Sequence, residues 1–228
     1  MSFVVTIDGP SGAGKSSVAK SLAERLGIRC LDTGAIYRSV AYVLDKRGFS
    51  PTEEKRVADA VASLSVRILP EGIFVDGEDV TTAIRTPYVD SIVSAWARLG
   101  VVRSGLLALQ REQAKYGSLV AEGRDMGSVV FPAADVRFFL TASSEARAER
   151  RHRELLERGE SVSCEDVRVR LNERDRADSE RELAPLKEPE GAIRIDTSLM
   201  EKEDVINELL LIVRRQCPIQ DNAGGTNK

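Results

Sequence analysis

The amino-acid sequence predicts an α/β fold, with a parallel sheet core covered by helices on both faces. Three observations predict it. Residues 3–8 (FVVTID) form a short β-branched run that stops at Gly9, as a buried parallel strand does before a crossover. Further apolar runs of strand length then alternate with stretches of helical period along the chain. Antiparallel signals are confined to one place, which marks an insertion into the alternating pattern.

The elements follow in order. Beyond the glycines after the first strand, Val18, Leu22, Ala23 and Leu26 recur at helical spacing, and Gly27 stands where a C-cap would. Residues 28–31 read as a second short strand, 35–47 as a helix ending at Gly48, and 52–63 as the next helix. Residues 65–69 and 73–75 are β-like runs around Pro70, Glu71 and Gly72, the pattern of a hairpin. Helical spacing returns over 88–115, with a break near Gly100. Residues 119–121 and 136–140 read as core strands and 192–196 (AIRID) as the last, with Arg-rich helices over about 143–182 between them. An amphipathic helix carrying Val205, Ile206, Leu209, Leu210 and Val213 closes the fold, and the polar segment 220–228 is expected to fray.

Composition narrows the function. A chain of 228 residues fits one domain with an insertion, and 42% apolar with 30% charged residues excludes disordered and fibrous classes. Thirty-three Lys and Arg against 36 Asp and Glu leave a net charge of -3, which is no footprint for general nucleic-acid binding but leaves room for a basic pocket. Cys30, Cys164 and Cys217 are odd in number and far apart, so they form neither a disulfide framework nor a CxxC metal site. A single histidine, His152, leaves a zinc site or a His-based triad without its usual parts. The opening apolar run is too short for a signal peptide or a membrane span. These readings together predict a cytoplasmic protein with no membrane and no nucleic-acid partner.

The chemistry is carried first by Gly9, Pro10, Ser11, Gly12, Ala13, Gly14, Lys15 and Ser16, a complete GxxxxGK[ST] match between a strand and a helix. The core is therefore of the P-loop NTPase type. Glycines let backbone N–H groups turn inward around phosphates, and the following helix points its positive end at them. Lys15 supplies a charge to the β- and γ-phosphates, and the Ser16 hydroxyl is the candidate ligand for Mg²⁺ arriving with ATP. The loop alone names no reaction and fits a GTPase, a motor or a small-molecule kinase. A guanine-reading NKxD sequence is lacking, since the one Asn-Lys pair is Asn227-Lys228 at the chain end. An ATPase or nucleotide switch, with residues 119–122 as its apolar strand and acidic ligand, stays open.

Two more stretches, residues 31–38 (LDTGAIYR) and 121–132 (AEGRDMGSVVFP), gather Gly, Arg and Asp next to expected strand ends. With the loop wording DGPSGAGKS and the run 173–181 (ERDRADSER), they make the chain resemble the bacterial cytidylate kinases from about Phe3 to Arg215. Ser16-Ser17 departs from the Gly-Thr of many members and Thr33 from the Ser of several, and both departures keep a hydroxyl.

The resemblance implies transfer of the γ-phosphoryl group of ATP to CMP or dCMP by a monomer. It implies that Thr33, Tyr37, Arg38 and Arg124 meet the acceptor, the two arginines holding its phosphate. It further implies that Ser94, Arg103 and Asp125 read the cytosine, and that Asp178 and Arg174 hold ribose and phosphate. Residues 142–182 hold ten Arg, no Lys and twelve Asp or Glu, and the resemblance makes this stretch a lid. Its Arg150, Arg174 and Arg181 would close over the phosphates, with the adjacent Arg151 as the alternative to Arg150. Ser17 completes the ATP-binding loop. The expected division is a core of 1–64, 97–142 and 183–218, a nucleoside-monophosphate (NMP) binding insertion at 65–96, a lid at 143–182, and a flexible tail at 219–228.

Overall fold

The computed structural model describes residues 2–69 and 71–217. The chain runs β1 (Val4–Asp8), α1 (Lys15–Leu26), β2 (Arg29–Asp32), α2 (Thr33–Lys46), α3 (Glu54–Ser63), β3 (Val66–Leu69), β4 (Gly72–Val75), β5 (Glu78–Asp79), α4 (Pro87–Ala97), α5 (Gly100–Glu112), β6 (Leu119–Glu122), β7 (Val136–Thr141), α6 (Ser144–Glu157), α7 (Cys164–Glu180), β8 (Ile193–Asp196) and α8 (Lys202–Gln216). Five of the strands form a sheet of order β2-β6-β1-β7-β8, parallel throughout, as predicted.

Both faces of this sheet are buried at its centre, where β1 and β6 read as apolar runs rather than alternations. On one face, Val5, Ile7, Phe138 and Leu140 pack against Leu22 and Leu26 of α1 and Leu209 and Val213 of α8. On the other, Leu31, Leu119 and Ala121 meet Ile36 and Val40 of α2, Trp96 of α4 and Leu106 of α5. Each fully buried aliphatic or aromatic side chain stabilises the fold by about 1.5–3 kcal/mol.

Local signals set the boundaries. The left-handed Gly27 (φ 64°) ends α1, with backbone N–H groups returned to Ala23 and Glu24. The Asp32 carboxylate caps α2 by accepting the Ala35 N–H at 2.8 Å. The expected break at Gly100 is a 100° bend between α4 and the helical segment that follows. No single helix among the described residues is long and apolar enough to cross a membrane.

The hairpin is present as β3 and β4, paired Ile68 to Ile73, and a third strand, β5, extends it into a small antiparallel sheet. It packs through Ile73, Val75, Val80 and Ile84 onto Ala35 and Val43 of α2, a cluster of its own. Pro70 and the segment 220–228 lie outside the described residues.

Candidate functional site

Because the strands of the main sheet are parallel, the carboxyl ends of β1, β2 and β6 open on the same side, where ligands of such sheets bind. A cleft of about 350 Å³ lies there. The loop from Gly9 to Ser17 forms its floor. Gly9 (φ 147°) is obligatory, since a Cβ would stand 2.0 Å from the Leu140 carbonyl oxygen. Ser11, Gly12, Gly14, Lys15, Ser16 and Ser17 line the cleft, while Ala13 is buried behind them. Lys15 Nζ donates to the Pro10 carbonyl at 2.7 Å. Burial first, then the Arg124 guanidinium, push the Lys15 ammonium down to about 7.

Ser16 Oγ donates to Glu122 Oε1 at 2.7 Å, so a hydroxyl and a carboxylate meet at the start of α1. Burial, reinforced by Asp32, pushes Glu122 up to about 7, which leaves a site that favours an added cation. No cluster of three or more His, Cys, Asp or Glu able to hold a metal occurs among the described residues. The donor set suits Mg²⁺, which takes one or two protein oxygens and its remaining ligands from phosphates and water. Thr33 Oγ1 donates to the Glu122 carbonyl at 2.7 Å, joining the start of α2 to the end of β6.

The opposite half of the cleft gathers the expected arginines. Arg38 Nε donates to Asp90 Oδ1 at 3.0 Å. Arg124 bridges Asp178 at 2.9 Å and the Ser11 hydroxyl at 2.7 Å. Arg103 pairs with Asp125 at 2.5 Å, both under 8% exposed, and lies 5.1 Å over the Tyr37 ring. Arg174 stands apart: among the described residues it makes no ion pair, and its buried Nε has no hydrogen-bond partner. Burial and the guanidinium groups of Arg124 and Arg38 pull it down to about 10. A guanidinium so crowded by its own kind lacks an anion.

Three of the expected residues make contacts other than those expected of them. Ser94 does not line the cleft; its carbonyl accepts from Arg98 at 3.5 Å, and Val93 and Ala97, which share a helix face, line the wall instead. Arg150 turns away and donates to the Thr197 hydroxyl at 2.9 Å and to the Thr197 carbonyl, anchoring α6 behind β8. Arg151 is the residue that faces the cleft, reaching Asp90 Oδ2 at 2.7 Å. Arg181 lines the cleft beside Asp178 (3.4 Å) and Asp125 (3.7 Å), so it joins the Arg103–Asp125 pair rather than the phosphate loop.

Several residues of the site escaped the sequence reading. Asp90 joins Arg38 to Arg151 from α4, and Arg85 lines the same wall and pairs with Asp32 at 3.0 Å. Asp8 accepts the N–H groups of Met126 and Gly127 at 2.8 and 2.7 Å, fixing the π-helical turn Met126–Val130 that follows Arg124 and Asp125. Burial raises Asp8 to about 6 against these two bonds. Glu122, which the sequence offered only as the acidic ligand of an ATPase or switch, is the partner of the Ser16 hydroxyl.

The chain is similar to known proteins along nearly its whole length. The family model described as cytidylate kinase matches residues 5–215. A cytidylate kinase of Thermotoga petrophila is 46% identical over 217 residues, 95% of this chain and 99% of that protein. One from Geobacter sulfurreducens is 43% identical, covering 94% of each. Among solved structures, a gluconokinase from Sinorhizobium meliloti superposes with a TM-score of 0.50 at 18% identity over 93% of this chain and 92% of its own, a likeness of fold alone.

Proposed function

The chain belongs to the cytidylate kinase family, and from that premise we propose how its cleft moves the γ-phosphoryl group of ATP to CMP, giving ADP and CDP. One observation carries the assignment of roles: the unpaired Arg174 between Arg38 and Arg124, three guanidinium groups facing one space with no anion on Arg174. A dianionic monophosphate seated there relieves their mutual repulsion and uses their planar forks. ATP lies on the loop, its phosphates against the N–H groups of Gly12 to Ser17 and against Lys15, whose ammonium regains its proton beside so much negative charge.

Ser16 and Glu122 would hold Mg²⁺ delivered with the nucleotide; bound there, it neutralises charge on the phosphates as transfer proceeds. The CMP phosphate oxygen is already anionic and needs no general base. It forms a bond to the γ-phosphorus as the bond to the β,γ-bridging oxygen breaks, and the bridging oxygen leaves with ADP. Lys15, Arg174 and Arg151 position these groups and stabilise the spreading charge.

Arg103 and Asp125 read the cytosine edge beside Tyr37, and Asp178 with Arg181 holds the sugar end, with room for CMP or dCMP. Residues 65–96 form the NMP-binding insertion and 143–182 the lid, which excludes water on closing. The remainder is the core, and the whole acts as a cytoplasmic monomer without membrane or nucleic-acid partners. Incubating the protein with Mg-ATP and single nucleoside monophosphates while following ADP tests the reading. ADP formed only with CMP or dCMP, or weakly with UMP, is expected; hydrolysis indifferent to every monophosphate would overturn it.

A further inference from the structure

Ser11 of the phosphate loop is gripped at all three of its polar groups, by three different segments. Its N–H donates to Asp175 Oδ1 on α7 at 2.7 Å, and its carbonyl accepts from Arg147 Nη1, in the first turn of α6, at 2.9 Å. Its hydroxyl accepts from Arg124. Arg147 and Asp175 also pair with each other, with side chains 9% and 14% exposed. Asn172, one turn before Asp175, accepts from Ser144 at 3.0 Å and from Arg147 at 3.4 Å. Steric contact backs the polar one: a Cβ at Gly12 would stand 3.1 Å from Arg147 Cβ and 3.4 Å from Leu171 Cδ1.

The two helices depend on this contact unequally. Helix α6 follows β7 after two residues, so Arg147 is rooted in the sheet. Helix α7 is separated from the next strand, β8, by the twelve residues 181–192, and its buried apolar contacts are few, Val167 and Leu171 against Leu155. Leu171, Arg174, Asp178 and Arg181 lie along its cleft-facing stripe, with Asp175 beside them on the phosphate loop. We propose that Asp175, braced by Arg147, is a positioning residue that fastens α7 to the phosphate loop through the Ser11 N–H. It thereby sets how deeply Arg174 and Asp178 reach into the cleft. The proposal rests on the phosphotransfer reading and adds to it the device that registers lid against loop. With the clasp intact, water is kept from the γ-phosphate; without it, the lid docks loosely and water competes with CMP.

The test compares the parent with Asp175→Asn, Asp175→Ala and Arg147→Lys. For each, ADP formation is followed with and without CMP, and the shift and exchange rate of the Ser11 amide proton are recorded by NMR. Asp175→Ala is expected to lower kcat/KM for ATP about ten- to a hundredfold, the size of a charge-assisted hydrogen bond. The ratio of CMP-independent hydrolysis to transfer should rise about tenfold as water enters, and the Ser11 amide should lose its downfield shift and exchange faster. Asp175→Asn keeps an acceptor oxygen but not the charge facing Arg147, and Arg147→Lys keeps the charge but not the fork, so both fall between. An unmoved Ser11 amide overturns the proposal, as does a hydrolysis ratio equal to the parent's. If the alanine variant does not fold, the asparagine variant carries the same readouts. A parent unable to phosphorylate CMP would refute the kinase reading, and the Ser11 amide alone would then decide the clasp.

Discussion

The sheet and the α6–α7 pair face each other across the cleft, and they are held by different forces. The sheet is covered on both faces by large apolar clusters whose members are almost all under 10% exposed. The α6–α7 pair buries Leu155, Val167 and Leu171 in a small cluster and is tied down largely by Arg147–Asp175, Arg124–Asp178 and Arg151–Asp90, with Arg150 bonded to Thr197. Apolar burial does not care which ligand is present. Ion pairs do, because an arginine can exchange a carboxylate for a phosphate at little net cost. The comparison teaches that the scaffold is rigid by area while the proposed lid is adjustable by charge, the division expected where a segment must open and close.

The largest expected effect lies on the scaffold side. Phe138→Ala, at a fully buried sheet position, should cost about 3–5 kcal/mol in denaturant unfolding. A loss under about 1 kcal/mol would show that the sheet is not held by packing.

On the lid side, Arg174→Lys should leave the melting temperature within a degree or two, since no ion pair is lost. It should lower turnover about ten- to a hundredfold, because the planar fork goes. A fall in stability with turnover preserved would reverse the two regions. Base choice gives a finer probe. Asp125→Asn can present its own donor to the uracil carbonyl, so the kcat/KM preference for CMP over UMP should fall by roughly tenfold. An unchanged ratio would leave Asp125 only the task of orienting Arg103.

A further effect, spread over pH, separates the regions. Asp8, in the core, is raised to about 6, so it binds a proton more readily folded than unfolded. The parent therefore gains stability as pH falls from about 6 towards 4, by at most about 1.4 kcal/mol per pH unit, and Asp8→Asn should remove that gain. Asp178 is lowered, with Arg124 the first group opposing its burial. Its contribution is present above the ordinary carboxylate range and is lost only as pH falls through its depressed value. Urea melts across pH 3–7 would show the two opposite slopes.

These differences also explain what could be read from the residues alone. Strands such as Val4–Asp8 and Leu119–Glu122 were legible because burial on both faces favours continuous apolar runs. Strand β5 was not, being Glu78 and Asp79, both exposed and joined to β4 by backbone pairing. In the site, motif residues at strand ends fell where expected, since loop chemistry and glycine placement are local. Charges on helices were harder, because one residue of shift turns a side chain by about 100°. Arg151, Glu154 and Arg158 share the cleft-facing stripe, and Arg150 does not. Extending that stripe backwards from Arg158 points to Arg151. Asp90 carried no period or motif, and Asp8, though it opens the wording DGPSGAGKS, carried no sign of its role; their partners are 52 and 118 or more residues away.

Trp96 is the only tryptophan in the chain, and it is 1% exposed. Its neighbours on α4, Val93 and Ala97, form part of the cleft wall, and the Ala97 carbonyl accepts from Arg103 at 3.2 Å. The indole thus sits one layer behind the surface on which we place the pyrimidine. Its fluorescence is a built-in optical gauge of that half of the cleft, so titrating CMP against emission follows acceptor binding without label, coupling enzyme or turnover.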